Sequence, residues 1–393
     1  MYRPKSSDKK CRSALDAESS SLVLTIMSII LASLMVFSFG CEKKEEKEIK
    51  IGAILPLTGD AAEWGNNTKN GIDLAVEKVN NAGGINGRKL KILYEDTQGT
   101  PKNGVAAIQK LITIEKVPAV IDDSMSTVTL AMSPIAEKSK VVLLATGATA
   151  PKISEAGDYI FRIWNSDDLE GKVSAKFVYD DLKLYNAAIL YINNDYGNGL
   201  ESVFKKAFEK LGGRIISSES FGQGDTDFRT QLTKIKNGKP EAIYVVGYPK
   251  EIALLLKQAT ELKINSKVIG TVTIEDPNII KLANKAAEDI IYPYPVVPDK
   301  TDSIVRQFNE QYKIKFGKET GITSDVGFDA VNMIVEAIRL GNGMKGEDIQ
   351  KGLMLIKEFH GASGVMTFDE NGDVNKPIGM KTIRKGNFEW YRQ

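Results

Sequence analysis

The 393-residue chain carries 52 Lys and Arg against 51 Asp and Glu, a formal net charge of +1 that argues against a nucleic-acid surface, which needs a clustered basic excess. Its length gives room for two α/β domains with ample core. The two cysteines, Cys11 and Cys41, precede the globular part, so no disulfide or cysteine-based zinc site lies within it, and the single histidine, His360, leaves little room for a His-dependent triad or a multi-histidine metal centre. A catalyst would have to run on carboxylates or lysine alone.

Residues 1–21 are polar and net basic, and 22–39 follow without a charge, a length between that of a signal segment's apolar core and a spanning helix. Gly40-Cys41 and the charged run 42–48 resemble a bacterial lipoprotein signal, with 1–40 as the signal segment, Cys41 as the lipidated residue and 41–48 as a charged tether. Ser38 stands where that box usually has leucine, and the other reading is an uncleaved membrane anchor. Both place the globular part outside the cytoplasmic membrane and tied to it.

From residue 49 strand and helix patterns alternate. Residues 49–55 are strand-like, and Ile72, Ala75, Val76 and Val79 recur at the spacing of a helix packed by one face, ended by Gly83-Gly84. Asn86-Gly87 turns into a strand over 89–94, and Pro101 opens a helix through Ile114. Segments 119–121 and 141–145 are short, β-branched and bounded by turn residues, which predicts buried parallel strands joined by a crossover helix. A strand over 159–164 precedes the first interdomain crossing. Strands over 187–192, 214–220, 242–246 and 267–270 then alternate with helices over 197–211, 227–235, capped by Asp227, and 250–262. The proline-rich 292–298 suits an interdomain strand, 301–316 and 323–340 are amphipathic helices, and 364–368 and 378–391 are strand and turn. Two successive βα blocks joined by extended crossings predict two similar lobes hinged around a cleft.

Two polar clusters, Ser124 to Thr127 and Thr146 to Thr149, fall at the carboxyl ends of adjacent strands, the edge where open α/β sheets bind ligands. Ser126 and Thr127 also sit at a helix start, where free N–H groups and the dipole favour an anion such as a carboxylate; the position equally suits Ser126 as a plain N-cap. Trp64, Tyr196 and Tyr248 lie just past expected strands, in loops reading DAAEWGNN, NNDYGNG and VVGYPKE. Together they suggest an apolar ligand wall, and singly each suits a partly exposed packing residue. Gly197 and Gly199, like Gly222 and Gly224, form GxG fragments without a third spaced glycine, so the nucleotide signal is weak. Asp122 and Asp123 point in different directions without further ligands nearby, which suits a solvated loop or a counter-charge for a ligand ammonium better than a metal. His360 reads as structural. With no nucleophile elbow, metal cluster or spaced acid pair, neither an enzyme nor a cofactor is expected.

The segments IGAILPLTGDAAEWGNNTKNGIDLAVEKVNNAGGINGRKLKILYEDTQGTP, SMSTVTLAMSPIAEKSKVVLLATGATAP, YGNGL and VVGYPKEIALLLKQATEL resemble the branched-chain amino acid (leucine/isoleucine/valine) binding proteins of bacterial ABC transporters. The resemblance implies an α/β, type I periplasmic binding protein fold: two doubly wound parallel-sheet lobes joined by three crossover segments, one built from 49–165 plus 299–360 and the other from 166–298 plus 361–393. It implies a monomer that delivers a small ligand to an ABC permease. Ser126 matches the family's carboxylate-binding serine. Gly147 and Thr149, with Ala148 between them, match the turn that offers a carbonyl to the ligand ammonium and an N–H and hydroxyl to its carboxylate. Trp64, Tyr196, Tyr248 and Phe328 match aromatic positions around the ligand. The family's ammonium-pairing glutamate falls at Val272, and a buried ammonium without a partner is costly. Either Asp123 or Asp325 substitutes, or the ligand is a carboxylate or amide without an ammonium. A sensor module of the same fold is a further alternative, which the lipoprotein-like leader disfavours.

Overall fold

The computed structural model describes residues 48–122, 125–296 and 301–391; the leader, Cys41 and Asp123 lie outside them. The first lobe opens with β1 (Glu48–Leu55), α1 (Ala62–Asn81), β2 (Lys89–Asp96), α2 (Pro101–Thr113), β3 (Ala119–Asp122), α3 (Ser126–Ser139), β4 (Val142–Ala145) and β5 (Ile160–Arg162). The strands form a parallel five-stranded sheet in the order β2-β1-β3-β4-β5. Their side chains alternate between two cores. Ala119, Ile121, Val142 and Leu144 face one side, whereas Val120, Leu143 and Ala145 face the other with Ile108, Val128 and Met132. Burial on both faces is why these strands read as unbroken apolar runs.

The second lobe holds α4 (Asp167–Lys176), β6 (Asn186–Ile192), α5 (Asp195–Lys210), β7 (Arg214–Phe221), α6 (Arg229–Gly238), β8 (Ala242–Val246), α7 (Pro249–Glu261), β9 (Lys267–Ile269), α8 (Pro277–Ala283) and β10 (Ile291–Pro295). The chain then returns to the first lobe with α9 (Ser303–Phe316), α10 (Ser324–Gly341), α11 (Gly346–Leu355), β11 (Phe359–Gly361) and β12 (Gly364–Met366), and ends in the second with β13 (Ile378–Arg384) and β14 (Asn387–Trp390). The second sheet, ordered β14-β13-β10-β9-β8-β6-β7, is parallel from β7 to β10, and its last two strands add antiparallel. It is therefore mixed rather than wholly parallel.

Helix α10 packs across α1 at a distance that only glycine permits: a Cβ on Gly71 would stand 1.9 Å from the Ser324 carbonyl oxygen, and one on Gly327 2.3 Å from that of Thr68. Ala362, Met366, Phe368 and Val374 share the first lobe's core, so the final crossing comes after Val374 and not at 361. At the hinge the crossings touch. Asn165 and Lys376 exchange two hydrogen bonds, from Asn165 Nδ2 to the Lys376 carbonyl (2.9 Å) and from the Lys376 N–H to Asn165 Oδ1 (2.7 Å), and Trp164 packs edge-on against Tyr294 with ring centres 6.2 Å apart.

Several elements differ from the sequence-based expectation. Helix α4, α11 and the short helices at Pro151–Glu155 and Val272–Glu275 were not anticipated. Helix α6 begins two residues after Asp227, whose carboxylate still accepts the Arg229 N–H at 3.1 Å. Trp64 and Tyr196 lie in the first turns of α1 and α5 and not in loops, because the following Gly and Asn residues, which read as a loop, are helical here.

Candidate functional site

The first wall of the site is made where β3 and β4 end side by side. The Thr146 hydroxyl donates to the Asp122 carbonyl (3.0 Å) and ties the two strand ends together. Ser126 opens α3 but does not cap it. Met125 holds the cap position without a side-chain bond, while Ser126 Oγ accepts the N–H groups of Thr149 and Ala150, each at 3.1 Å. The N-cap alternative is thereby set aside: the hydroxyl spans from α3 to the turn after β4, and its own proton remains for an acceptor.

That turn is held from behind by Arg162, which is fully buried. Its Nη1 donates to the carbonyls of Thr149 (2.8 Å) and Ala150 (3.1 Å), its Nη2 to Ser154 Oγ (2.9 Å) and Asp373 Oδ2 (2.7 Å), and its Nε to Asp373 Oδ1 (3.0 Å). All five donors are used, the condition under which a buried ion pair is tolerable. With the carbonyls of 149 and 150 turned to Arg162, their N–H groups face Ser126.

The second wall is aromatic. Asn194 caps α5 through the Gly197 N–H (3.0 Å) and sets Tyr196 in the first turn, while Tyr248 sits at the start of α7 ahead of Pro249. Tyr196 and Tyr248 stack at 5.7 Å, and Trp64 from the first lobe meets Tyr248 edge-on at 6.1 Å. Across the gap the Trp64 indole N–H donates to Asp276 Oδ2 at 2.7 Å, and within the second lobe Tyr196 Oη donates to Thr271 Oγ1 at 2.9 Å. Burial raises the Asp276 carboxyl above the ordinary range, against the Asn278 N–H that its other oxygen accepts. Between the walls lies a small hollow of about 40 Å³, nearly filled by its own lining of Trp64, Ser126, Gly147, Trp164, Tyr196, Tyr248, Val272, Thr273, Ile322 and Thr323. That lining, apolar and aromatic with a few hydroxyls, has the character of a small-molecule site.

The structure thus brings Trp64, Ser126, Gly147, Tyr196 and Tyr248 to one hollow. Ala148 and Thr149 are buried in the turn beside it, and Thr127 Oγ1 is buried without a hydrogen-bond partner. Thr127, Ala148 and Thr149 do not themselves line the hollow, and neither do Phe328 and Asp325. Phe328 points into the first lobe's core against Phe308 (5.0 Å between ring centres), because its place one turn into α10 puts it on the inward face. Asp325 accepts the Val326 N–H (2.9 Å), and its carboxyl is raised by burial against the opposing charge of Lys376, so it belongs to the hinge.

Val272, where the resemblance calls for glutamate, presents an apolar side chain to the hollow, and its N–H donates to Glu170 Oε1 at 3.2 Å. Glu170 stands one turn after Asp167 on α4, and both are buried. Asp167 donates its N–H to the Thr149 carbonyl at 2.8 Å. Burial pushes the Asp167 carboxyl up to about 7, with the Thr149 hydroxyl and Arg162 opposing, and raises Glu170 well above the ordinary carboxylate range, with Asp167 adding to the rise and the Val272 N–H opposing it. Among the described residues no group of three or more His, Cys, Asp or Glu is arranged to hold a metal, and no helix is long and apolar enough to cross a membrane.

The family model described as periplasmic binding protein matches residues 48–387. A leucine-, isoleucine-, valine-, threonine- and alanine-binding protein of Pseudomonas aeruginosa is 28% identical over 93% of this chain and 96% of its own length. A leucine-binding protein, LivK, of Thermotoga maritima is 29% identical and superposes with a TM-score of 0.82, covering 88% of this chain and 98% of its own. The branched-chain amino acid transporter binding protein LivJ of Streptococcus pneumoniae, solved with isoleucine, is 27% identical with a TM-score of 0.80, covering 87% and 98%. With its two wound sheets and a family match that runs from β1 into β14, this chain belongs to the periplasmic binding proteins and has their type I fold.

Proposed function

We propose that the protein is the substrate-binding component of an ABC transporter, that it holds a small carboxylate-bearing ligand, an aliphatic amino acid first, in the interlobe hollow, and that it presents it to a membrane permease. The observation that carries this reading is the meeting of Ser126 and Gly147 from one lobe with Tyr196, Tyr248 and Thr273 from the other around a single space. The names of the full-length relatives support the ligand class. The ligand carboxylate accepts a hydrogen bond from the Ser126 hydroxyl and competes with Ser126 Oγ for the N–H groups of the turn. The aliphatic side chain lies against Trp64, Tyr196, Tyr248 and Val272, where removal of apolar area from water favours closure. No bond is made or broken. Cys41 carries the lipid anchor and keeps the monomer at the outer face of the membrane.

The apolar Val272 favours a second reading, a carboxylate or amide without an ammonium. Calorimetry with leucine, isoleucine, valine, their deaminated acids and their amides separates the two. One-site binding of the amino acids, weakened in Trp64→Ala, is the expected result; no binding across the panel would remove the transport reading.

A further inference from the structure

Asp167 and Glu170 are buried on α4 with few partners. Neither Asp167 carboxylate oxygen has a well-aligned hydrogen bond, the Thr149 hydroxyl being its nearby donor, and the hydroxyls of Ser174 and Tyr244 are buried beside each other without a well-aligned one. Orphaned polar atoms in a folded core call for an explanation, and these lie directly behind the hollow. Asp167 binds the carbonyl of Thr149 through its N–H (2.8 Å), and Glu170 holds the N–H of Val272 at 3.2 Å, at the very residue where the resemblance calls for an acid. The charged and titratable groups that face the pair are Arg162 from β5, Tyr196 from α5 and Tyr244 from β8. Arg162 has all five donors engaged elsewhere, chiefly on Asp373 and the turn carbonyls, so it does not neutralise the pair.

Resting on the amino-acid reading of the hollow, we propose that Asp167 and Glu170 together supply the negative charge for the ligand ammonium, in place of the acid missing at Val272, and that seating such a ligand drives a proton from the pair to the solvent. Two carboxyl groups a helical turn apart in a dry site do not both ionise, and the pair titrates as a unit. The empty pair holds its protons near neutrality, because burial raises both groups. An ammonium beside it favours the charged form, so one O–H bond breaks and the proton passes to buffer. Affinity for an ammonium-bearing ligand therefore falls as pH drops below about 7, by up to roughly tenfold per pH unit. A deaminated ligand lacks this dependence.

The full chain is titrated with leucine and with 4-methylpentanoate in phosphate and in Tris at pH 7. Leucine should give heats that differ between the two buffers, and 4-methylpentanoate heats that do not. Asp167→Asn and Glu170→Gln should each weaken leucine tenfold or more while 4-methylpentanoate is held as well or better. Equal heats in the two buffers for wild-type leucine binding at pH 7 overturn the proposal without recourse to a variant, as does equal loss of both ligands in well-folded variants. Tight 4-methylpentanoate binding with leucine excluded leaves the carboxylate receptor standing and removes the acid pair's role; if wild type binds neither, both fall.

Discussion

The two walls of the hollow are built in opposite ways. The turn after β4 is backbone, and the groups behind it are satisfied: Arg162 spends every donor on Asp373, Ser154 and two carbonyls, and Ser126 takes the N–H groups on the other side. The opposite wall is side chain, with rings from α5 and α7 backed by two acids whose hydrogen bonding is incomplete. Satisfied networks hold one geometry, and unsatisfied buried groups store a preference that a ligand can release. Under the proposed function the first wall reads the ligand's constant carboxylate, and the second reads its variable tail and its charge.

Substitutions can break this contrast. The largest effect is expected for Arg162→Ala, which leaves Asp373 buried without its cation; denaturant unfolding should show a loss of about 3–5 kcal/mol. Removing a ring acts on binding: Trp64→Ala should weaken the ligand by about 2–3 kcal/mol in calorimetry, through lost burial and the unpaired Asp276. Ser126→Ala should weaken it less, by about 1–2 kcal/mol, because the N–H groups of Thr149 and Ala150 remain to meet the carboxylate. Asp167→Asn should have the opposite sign to Arg162→Ala for the ligand-free protein. Burial sets its folded carboxyl near 7, above the unfolded value of about 4, so the stability it contributes is full at low pH and is lost as pH rises through about 7. At pH 8 the neutral isostere should melt higher, by about 1–3 °C, and the two proteins should converge at pH 4. The exposed interlobe pair Asp60 and Lys250, 3.2 Å apart, should matter least: Lys250→Ala should change affinity by less than about 0.5 kcal/mol, and less again in high salt.

Much of this was legible in the chain. Alternating apolar runs marked the strands of the first lobe and made β3 and β4 neighbours, and the small polar clusters after them marked one wall. Trp64, Tyr196 and Tyr248 stood out because rings at strand ends had no sheet face to pack on. Helix α4 was not legible because its inward positions are Asp167, Glu170, Gly171, Ser174 and Ala175. The spacing is helical, but the residues are acidic or small, and a search for apolar periodicity passes over them. Ser166 before three acids was a usable start signal: its hydroxyl accepts the Asp168 N–H at 3.2 Å. Arg162 left a trace as the lone charge in the strand IFR, whereas two of its five bonds go to Asp373, far along the chain. Thr323 lines the hollow from a left-handed backbone position with φ of 71°, which no local pattern announces for a threonine.

Crystals of the protein grown with leucine bear most directly on how the hollow is used. The ligand carboxylate should lie within hydrogen-bond distance of Ser126 Oγ and the Thr149 N–H, with its side chain between Trp64 and Tyr196. Leucine bound away from both walls, or a hollow filled only by water at saturating leucine, would contradict it.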